Sequence, residues 1–224
     1  MKAYRKCAII LARGGSKGIP RKNMQFLENK TLLQHVVEAA KASMLEHVWV
    51  STEDSEIKGH CEKLDVRVHN RPIFLAQDLS TDFECLRDFL VSYADEYDYL
   101  VHLRATFPKI NAEIINDAIQ CFEARYHEID SLRSVIPAGQ SPYKMWFINE
   151  NGYLSPVVED NHLHSSPRQI LPGAFFQNAC IDIIKTRTIC SKNDIIGGRC
   201  FAYLMDDNYD FDIDTMEDLE KLRE

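Results

Sequence analysis

An apolar run, Cys7-Ala8-Ile9-Ile10-Leu11, passes without a break into Ala12-Arg13-Gly14-Gly15-Ser16-Lys17-Gly18-Ile19-Pro20-Arg21-Lys22-Asn23. A short apolar run bounded by glycines reads as a buried strand, so the strand ends in a glycine-rich loop. Glycines let the backbone approach a ligand and turn its N–H groups toward it. Arg13, Lys17, Arg21 and Lys22 add cations to the same loop. The combination reads as a cradle for a polyphosphate. It is neither a Walker A loop, since no Gly-Lys-Ser/Thr closes it, nor a G-x-G-x-x-G turn. An exposed basic turn is the plainer alternative.

Strand and helix patterns alternate after the loop. Leu32, Leu33, Val36, Val37 and Ala40 fall on one helix face, with Thr31 as N-cap. Val48–Ser51 reads as a strand, Ser55–Leu64 as a helix and Val66–Val68 as a short strand. Leu86, Phe89, Leu90 and Tyr93 have helical spacing, Tyr99–Leu103 is a buried strand, and a helix follows over Ala112–Arg125. This order predicts an α/β protein: a single domain with a mostly parallel sheet covered on both faces. Ligands of such sheets bind beyond the carboxyl ends of the strands. The Arg13 loop, the Ser51–Asp54 turn and the Arg104–Pro108 turn all lie at such ends, which points to one shared site.

The second half is less regular. Ser134–Pro137 and Lys144–Ile148 read as strands, Phe201–Met205 as a late strand and Met216–Arg223 as a closing helix. Between them, Gly152–Gly173 is polar and proline-bearing, framed by Trp146, Phe147, Tyr153, Phe175 and Phe176. An extension that packs on another subunit explains that framing better than a free loop.

The 224 residues carry a net charge of −8, with 45% hydrophobic and 27% charged residues. An acidic chain lacks the positive field that a nucleic acid demands, so the clustered cations point to a small anionic ligand. No apolar stretch approaches the ~20 residues of a membrane span. Met1–Lys6 has no secretory h-region, and the seven cysteines form no C-x-x-C pair. A reduced, cytoplasmic compartment is expected. Cys180, Cys190 and Cys200 lie too far apart in sequence for paired metal ligands. His162 and His164 have no third ligand at useful spacing, and His102, inside an apolar strand, reads as a satisfied core histidine.

Phosphoryl chemistry on a triphosphate needs a divalent metal, and Asp212-Ile213-Asp214 offers carboxylates at i and i+2. In extended backbone both project to one side, as an oxygen-ligated Mg²⁺ requires. The other reading is a solvated acidic turn in which Asp214 or Thr215 caps the last helix.

The motif Ala12–Asn23 resembles the nucleotide-binding signature of the cytidylyltransferases that activate acidic sugars, above all the CMP-N-acylneuraminate synthetases. The resemblance runs the length of the chain through Val50-Ser51-Thr52-Glu53-Asp54, Asn70-Arg71-Pro72, Arg168-Gln169-Ile170-Leu171-Pro172 and Asp210–Leu219. It implies a Rossmann-like, GT-A-like nucleotidyltransferase domain over residues 1–224, with 137–173 as a dimerisation arm that contributes to the partner's sugar site. It also implies transfer of CMP from CTP to the anomeric hydroxyl of an acidic 2-keto-3-deoxy sugar, with Mg²⁺ or Mn²⁺ as cofactor and pyrophosphate as leaving group. Lys17, Lys22, Asp212 and Asp214 are then the catalytic residues, the last two also holding the metal. Ala12, Arg13, Gly14, Gly15, Ser16, Lys17, Lys22, Asn23, Arg71, Ser80 and Thr81 would hold the nucleotide, Arg71 near the cytosine. Arg104, Thr106, Lys144, Arg168, Gln169 and Asn178 would face the sugar. Two alternatives stay open: a cytidylyltransferase for 3-deoxy-octulosonate or another acidic sugar, and a nucleotide-binding homologue without turnover.

The chain departs from the family pattern in two places. Leu103-Arg104-Ala105-Thr106-Phe107-Pro108 stands where Leu-Gln-Pro-Thr-Ser-Pro is typical, and Phe176 stands where arginine is usual. The usual glutamine contacts the sugar, so Arg104 and Phe107 imply a reshaped acceptor pocket in which N-acetylneuraminate is a poor substrate. A buried Arg104 needs an anionic partner, either a protein carboxylate or the substrate itself.

Overall fold

Cys7, Ala8, Ile9 and Ile10 are all fully buried. Strand alternation sends Ala8 and Ile10 to one face of a sheet and Cys7 and Ile9 to the other. That one strand therefore demands helices on both faces. The computed structural model describes residues 3–159, 162–209 and 213–223. Strand β1 (Lys6–Leu11) is followed by the two-residue pair β2 (Phe26–Leu27) and β3 (Lys30–Thr31), helix α1 (Leu32–Lys41), β4 (His47–Thr52), α2 (Ser55–Lys63) and β5 (Arg67–Asn70). Then come α3 (Asp82–Tyr93), β6 (Tyr99–Arg104), α4 (Ala112–Ala124) and β7 (Ser131–Pro137). The hairpin β8 (Trp146–Ile148) and β9 (Leu154–Pro156) precedes β10 (Phe175–Phe176) and β11 (Ile181–Lys185). Helix α5 (Thr186–Lys192), β12 (Cys200–Leu204) and α6 (Met216–Lys221) complete the described elements.

In the main sheet β1 lies between β4 and β6, parallel to both, and β5 adds in parallel to β4. On the other side β11 runs antiparallel between β6 and β7, while β12 pairs in parallel and β10 antiparallel with β7. One face buries α1 and α4 through Leu33, Val36, Val37, Ile115, Ile119 and Phe122. The opposite face buries α3 and α5 through Leu86, Phe89, Leu90 and Ile189. Each fully buried aliphatic side chain contributes about 1.5–3 kcal/mol of gross hydrophobic stabilisation. The apolar stripe of α1 thus fixes that ten-residue helix, which would be marginal in isolation.

Side-chain caps set where the helices start. Thr31 Oγ1 accepts from Gln34 N at 3.0 Å, Asp54 Oδ1 accepts from Glu56 N and Ile57 N, and Thr81 forms a capping box with Glu84. A small third cluster, Ile19, Leu27, Leu32, Ile213 and Leu219, ties α6 to the loop that follows β1.

The first half follows the expected order of elements, with the third strand set slightly later, at Arg67–Asn70. The second half is more ordered than its sequence suggests. Strand β11 and helix α5 are present where no element is expected, and β7 begins at Ser131 rather than Ser134. The strand expected over Lys144–Ile148 covers only Trp146–Ile148, because Pro142 opens a single 3₁₀ turn through Lys144. The described residues of the 137–173 segment form the β8–β9 hairpin and three 3₁₀ turns. Phe147, Ile148, Tyr153, Leu154 and Ile170 are exposed along them. No helix among the described residues is long and apolar enough to cross a membrane, and all seven cysteines are free.

Candidate active site

The loop after β1 is held from beneath. Ala12 N donates to Ser51 O at 3.0 Å, Gly14 N donates to Glu53 Oε1 at 2.8 Å, and Asn23 Nδ2 donates to Arg13 O at 2.9 Å. Two glycines are required by close approach. A Cβ on Gly14 would lie 2.3 Å from Asp54 Oδ2, and one on Gly18 would lie 2.1 Å from Asp214 O. A Cβ on Gly15 would meet nothing within 4 Å. The loop is therefore wedged between the N-terminus of α2 and the segment that leads into α6.

Three of the four loop cations line a cleft of about 340 Å³: Arg13, Lys17 and Lys22, with Ser16, Thr106 and Asp214. Arg21 does not join them. Its backbone is left-handed (φ 57°), and its guanidinium forks onto Asp54 at 2.6 and 3.0 Å and also binds Glu56. That fork holds the Asp54 carboxyl below the usual carboxylate range, helped by the N–H groups of α2. Lys22 donates to Ile213 O at 2.6 Å and to Asp214 Oδ1 at 3.0 Å, so Asp214, just before α6, forms part of one wall of the cleft. Asp78 binds both remaining cations, Arg13 at 2.9 Å and Lys17 at 2.7 Å. Lys17, then Arg13, keep the Asp78 carboxyl below its ordinary value, and it is anionic at neutral pH.

A second cleft of about 230 Å³ shares Leu11 and Arg13 with the first and is lined by Arg71, Asp78, Ser80, Asp82 and Cys85. Arg71 is 6% exposed. Its Nη2 reaches Glu53 Oε2 at 3.3 Å and its Nη1 reaches Cys85 Sγ at 3.3 Å. Its Nε is buried with no hydrogen-bond partner among the described residues. A buried guanidinium with an unused donor is costly unless a ligand completes it. Glu53 therefore bridges the two clefts, one oxygen on Gly14 N and the other on Arg71. Ser80 Oγ accepts from Gln77 N, and Thr81 spends its hydroxyl on capping α3.

Residues expected to face a sugar are dispersed. Thr106 lines the first cleft. Arg104 finds protein carboxylates: Asp82 at 2.9 Å and Asp182 at 3.2 Å, with Ala179 O at 3.3 Å. Asp182 is also bound by Arg133 at 2.6 Å from the neighbouring strand. Of the two partners open to Arg104, the structure gives the protein carboxylate. Phe107 is 3% exposed and lies in the main core, so it adds bulk there and not to either cleft. Asn178 is buried and donates to Tyr209 O at 3.3 Å and Met205 Sδ at 3.4 Å. In the 137–173 segment Lys144 Nζ donates to His164 O and Ser166 O, both at 2.7 Å, and Arg168 donates to Gly139 O at 2.9 Å. Neither these two nor Gln169 lines either cleft. His102 is fully buried, as expected of a core histidine, but neither ring nitrogen has a hydrogen-bond partner among the described residues. Burial drives its imidazole toward the neutral form.

Asp212, the other expected metal ligand, lies outside the described residues, as do Asp210 and Phe211. Asp214 has an exposed carboxylate on the first cleft's rim. Among the described residues no group of three or more His, Cys, Asp and Glu side chains converges as a metal site. Glu53, Asp78 and Asp82 are site residues to which sequence reasoning assigned no role. Glu53 stood inside a recognised motif, whereas no local signal marks Asp78 or Asp82.

A cationic glycine-rich loop beyond the carboxyl ends of parallel strands, with a cleft on either side of Arg13, defines a nucleotide-binding α/β domain. The chain belongs to the cytidylyltransferase family, whose family model matches residues 7–224. It is 29% identical over 213 residues to an N-acylneuraminate cytidylyltransferase of Streptococcus agalactiae, covering 94% of this chain and 50% of that protein. It is 27% identical over 218 residues to the post-translational flagellin modification protein B of Campylobacter coli, covering 94% of this chain and 90% of that protein. The chain thus spans about half the length of the N-acylneuraminate relatives it matches. The fold is similar to that of a CMP:2-keto-3-deoxy-manno-octonic acid synthetase complexed with CTP. There the TM-score is 0.71 at 15% identity, covering 98% of this chain and 97% of that one.

Proposed function

We propose that the protein transfers CMP from CTP to the anomeric hydroxyl of an acidic 2-keto-3-deoxy sugar and releases pyrophosphate. One observation carries the reading: the cleft lined by Arg13, Lys17 and Lys22 adjoins, across Arg13, the cleft into which Arg71 is set with an unused donor. The first suits a triphosphate and the second a base with acceptor atoms. Arg13, Lys17 and the loop N–H groups hold the triphosphate, and Lys22 neutralises charge on the departing pyrophosphate. Asn23 keeps the loop in shape through Arg13 O. Positioning and charge neutralisation carry the rate, with no protein nucleophile.

Asp214 is a hard oxygen donor on the rim of the phosphate cleft, of the kind Mg²⁺ takes, and Asp212 is its proposed companion. Bound there, Mg²⁺ or Mn²⁺ would supply charge neutralisation and polarisation of phosphate oxygens. The name of the N-acylneuraminate relatives supports an acceptor of this sugar class. The expectation that N-acetylneuraminate is a poor acceptor loses its two supports, because Arg104 is matched by Asp82 and Asp182 and Phe107 packs in the core.

The exposed aromatic and aliphatic side chains of residues 137–173 suit burial against a second copy, giving a homodimer. Lys144 and Arg168 would then act in the partner's sugar site, with Gln169 beside them. The free cysteines suit a reducing cytoplasm. Thermal shifts with CTP, UTP, ATP and GTP test the nucleotide assignment. A ligand at 100 times its Kd stabilises the native state by about 2.7 kcal/mol, so CTP should raise Tm by several degrees more than the others. Equal shifts for all four would reject the cytidine assignment.

A further inference from the structure

Asp78 stands between the two clefts, and it already occupies both of the loop's outer cations. One oxygen lies 2.9 Å from Arg13 and the other 2.7 Å from Lys17. Among the described residues, Asp78 is the carboxylate partner of each. The two pairs cross the mouth of the site, joining the loop after β1 to the connection that precedes α3. A polyphosphate in the first cleft requires the same two cations. It cannot share them with a carboxylate at those distances without setting like charges against each other. The contacts are of the exchangeable kind: the Lys17 side chain is 80% exposed and that of Asp78 is 43% exposed, and exposed ion pairs are weak.

We propose that Asp78 is a latch on the phosphate cradle. In the ligand-free protein its carboxylate stands in for a phosphoryl group between Arg13 and Lys17, and nucleotide binding displaces it. The inference rests on the reading of the first cleft as a triphosphate site, and it adds an internal competitor to that site. The latch keeps Arg13 and Lys17 side by side while no ligand is bound, offsetting their mutual repulsion. It also sets nucleotide affinity lower than the cations alone would give. When it opens, the connection between β5 and α3 loses its tie to the glycine-rich loop. Exposed Ile73, Phe74 and Leu79 lie on that connection.

Titration calorimetry on the intact chain with CTP, and separately with inorganic tripolyphosphate, tests the latch. Asp78→Asn should tighten both ligands about 3- to 10-fold, the gain from releasing two half-exposed ion pairs. Asp78→Glu, which keeps the charge, should stay close to wild type. In the unaltered protein, tripolyphosphate should raise amide hydrogen exchange across residues 72–81, a readout that needs no variant. Unchanged or weaker binding by Asp78→Asn, with the exchange of 72–81 unaltered, overturns the latch while leaving the nucleotide site standing. An unaltered protein that binds neither CTP nor tripolyphosphate refutes the nucleotide reading, and the latch with it.

Discussion

Replacing Gly14 by alanine isolates the way the phosphate loop is seated. The new methyl would lie 2.3 Å from Asp54 Oδ2, 2.7 Å from Asp54 Cγ and 2.8 Å from Asp54 Cβ. Asp54 cannot yield cheaply, because Oδ1 caps α2 through two N–H groups and both oxygens are held by Arg21. Overpacking costs about 1–3 kcal/mol, and a lost N-cap costs about 1 kcal/mol. The stiffer unfolded chain returns about 0.4–1 kcal/mol. The net is about 1–3 kcal/mol of destabilisation, or roughly 2–12 °C in Tm for a domain of this size. Displacing the loop also pulls Gly14 N from Glu53, so CTP affinity should fall with stability. Gly15→Ala is the control, since its Cβ meets nothing within 4 Å. Urea unfolding and calorimetric titration of both variants read the two effects. A Gly14→Ala protein with wild-type midpoint and CTP affinity would refute the wedged-loop account.

Three further outcomes follow from the site. Asp214→Asn or Asp212→Asn should lower kcat at least ~10²-fold, the scale of one lost electrostatic stabiliser, with much smaller loss of CTP affinity; near wild-type rates in both would make these carboxylates a cap or a solvated turn. The folded-state pKa of Asp54 lies below the ordinary 3.8, so its contribution to stability is complete above that value and fades as pH falls through the lower, folded one. Asp54→Asn should therefore flatten the acid limb of Tm against pH, and an unchanged limb would remove Asp54 from the account. Mixing an Arg168→Ala subunit with a Lys17→Ala subunit should restore part of the activity through hybrid dimers, whereas a fully active species that sediments as a monomer would exclude a shared site.

The half of the fold that could be read from sequence is the half where local pattern and tertiary role agree. The α1 stripe at Leu32, Leu33, Val36, Val37 and Ala40 is wholly buried, and Thr31 caps the helix as its position suggests. Strand β11 was illegible for a physical reason. Its Asp182 and Lys185 break the apolar run, yet both are almost fully buried: Asp182 is matched by Arg104 and Arg133 across neighbouring strands, and Lys185 donates to Tyr126 O and Ile129 O. Those partners are distant in sequence, so no window reveals them. The loop cations were legible because they cluster within one motif. Their counter-ions were not, since Asp54 follows β4, Asp78 precedes α3, and Asp214 leads into α6. The same limit hid the fate of Arg21, whose sequence neighbours say nothing of the fork onto Asp54.

Pyrophosphate release, measured for CTP, UTP, ATP and GTP against a panel of acidic 2-keto-3-deoxy sugars with Mg²⁺ present, tests the central claim most directly. The account predicts release only when CTP meets at least one acidic sugar of the panel, and its loss in Lys17→Ala and Asp214→Asn. Release that is indifferent to the nucleotide, or that survives both substitutions, would contradict it.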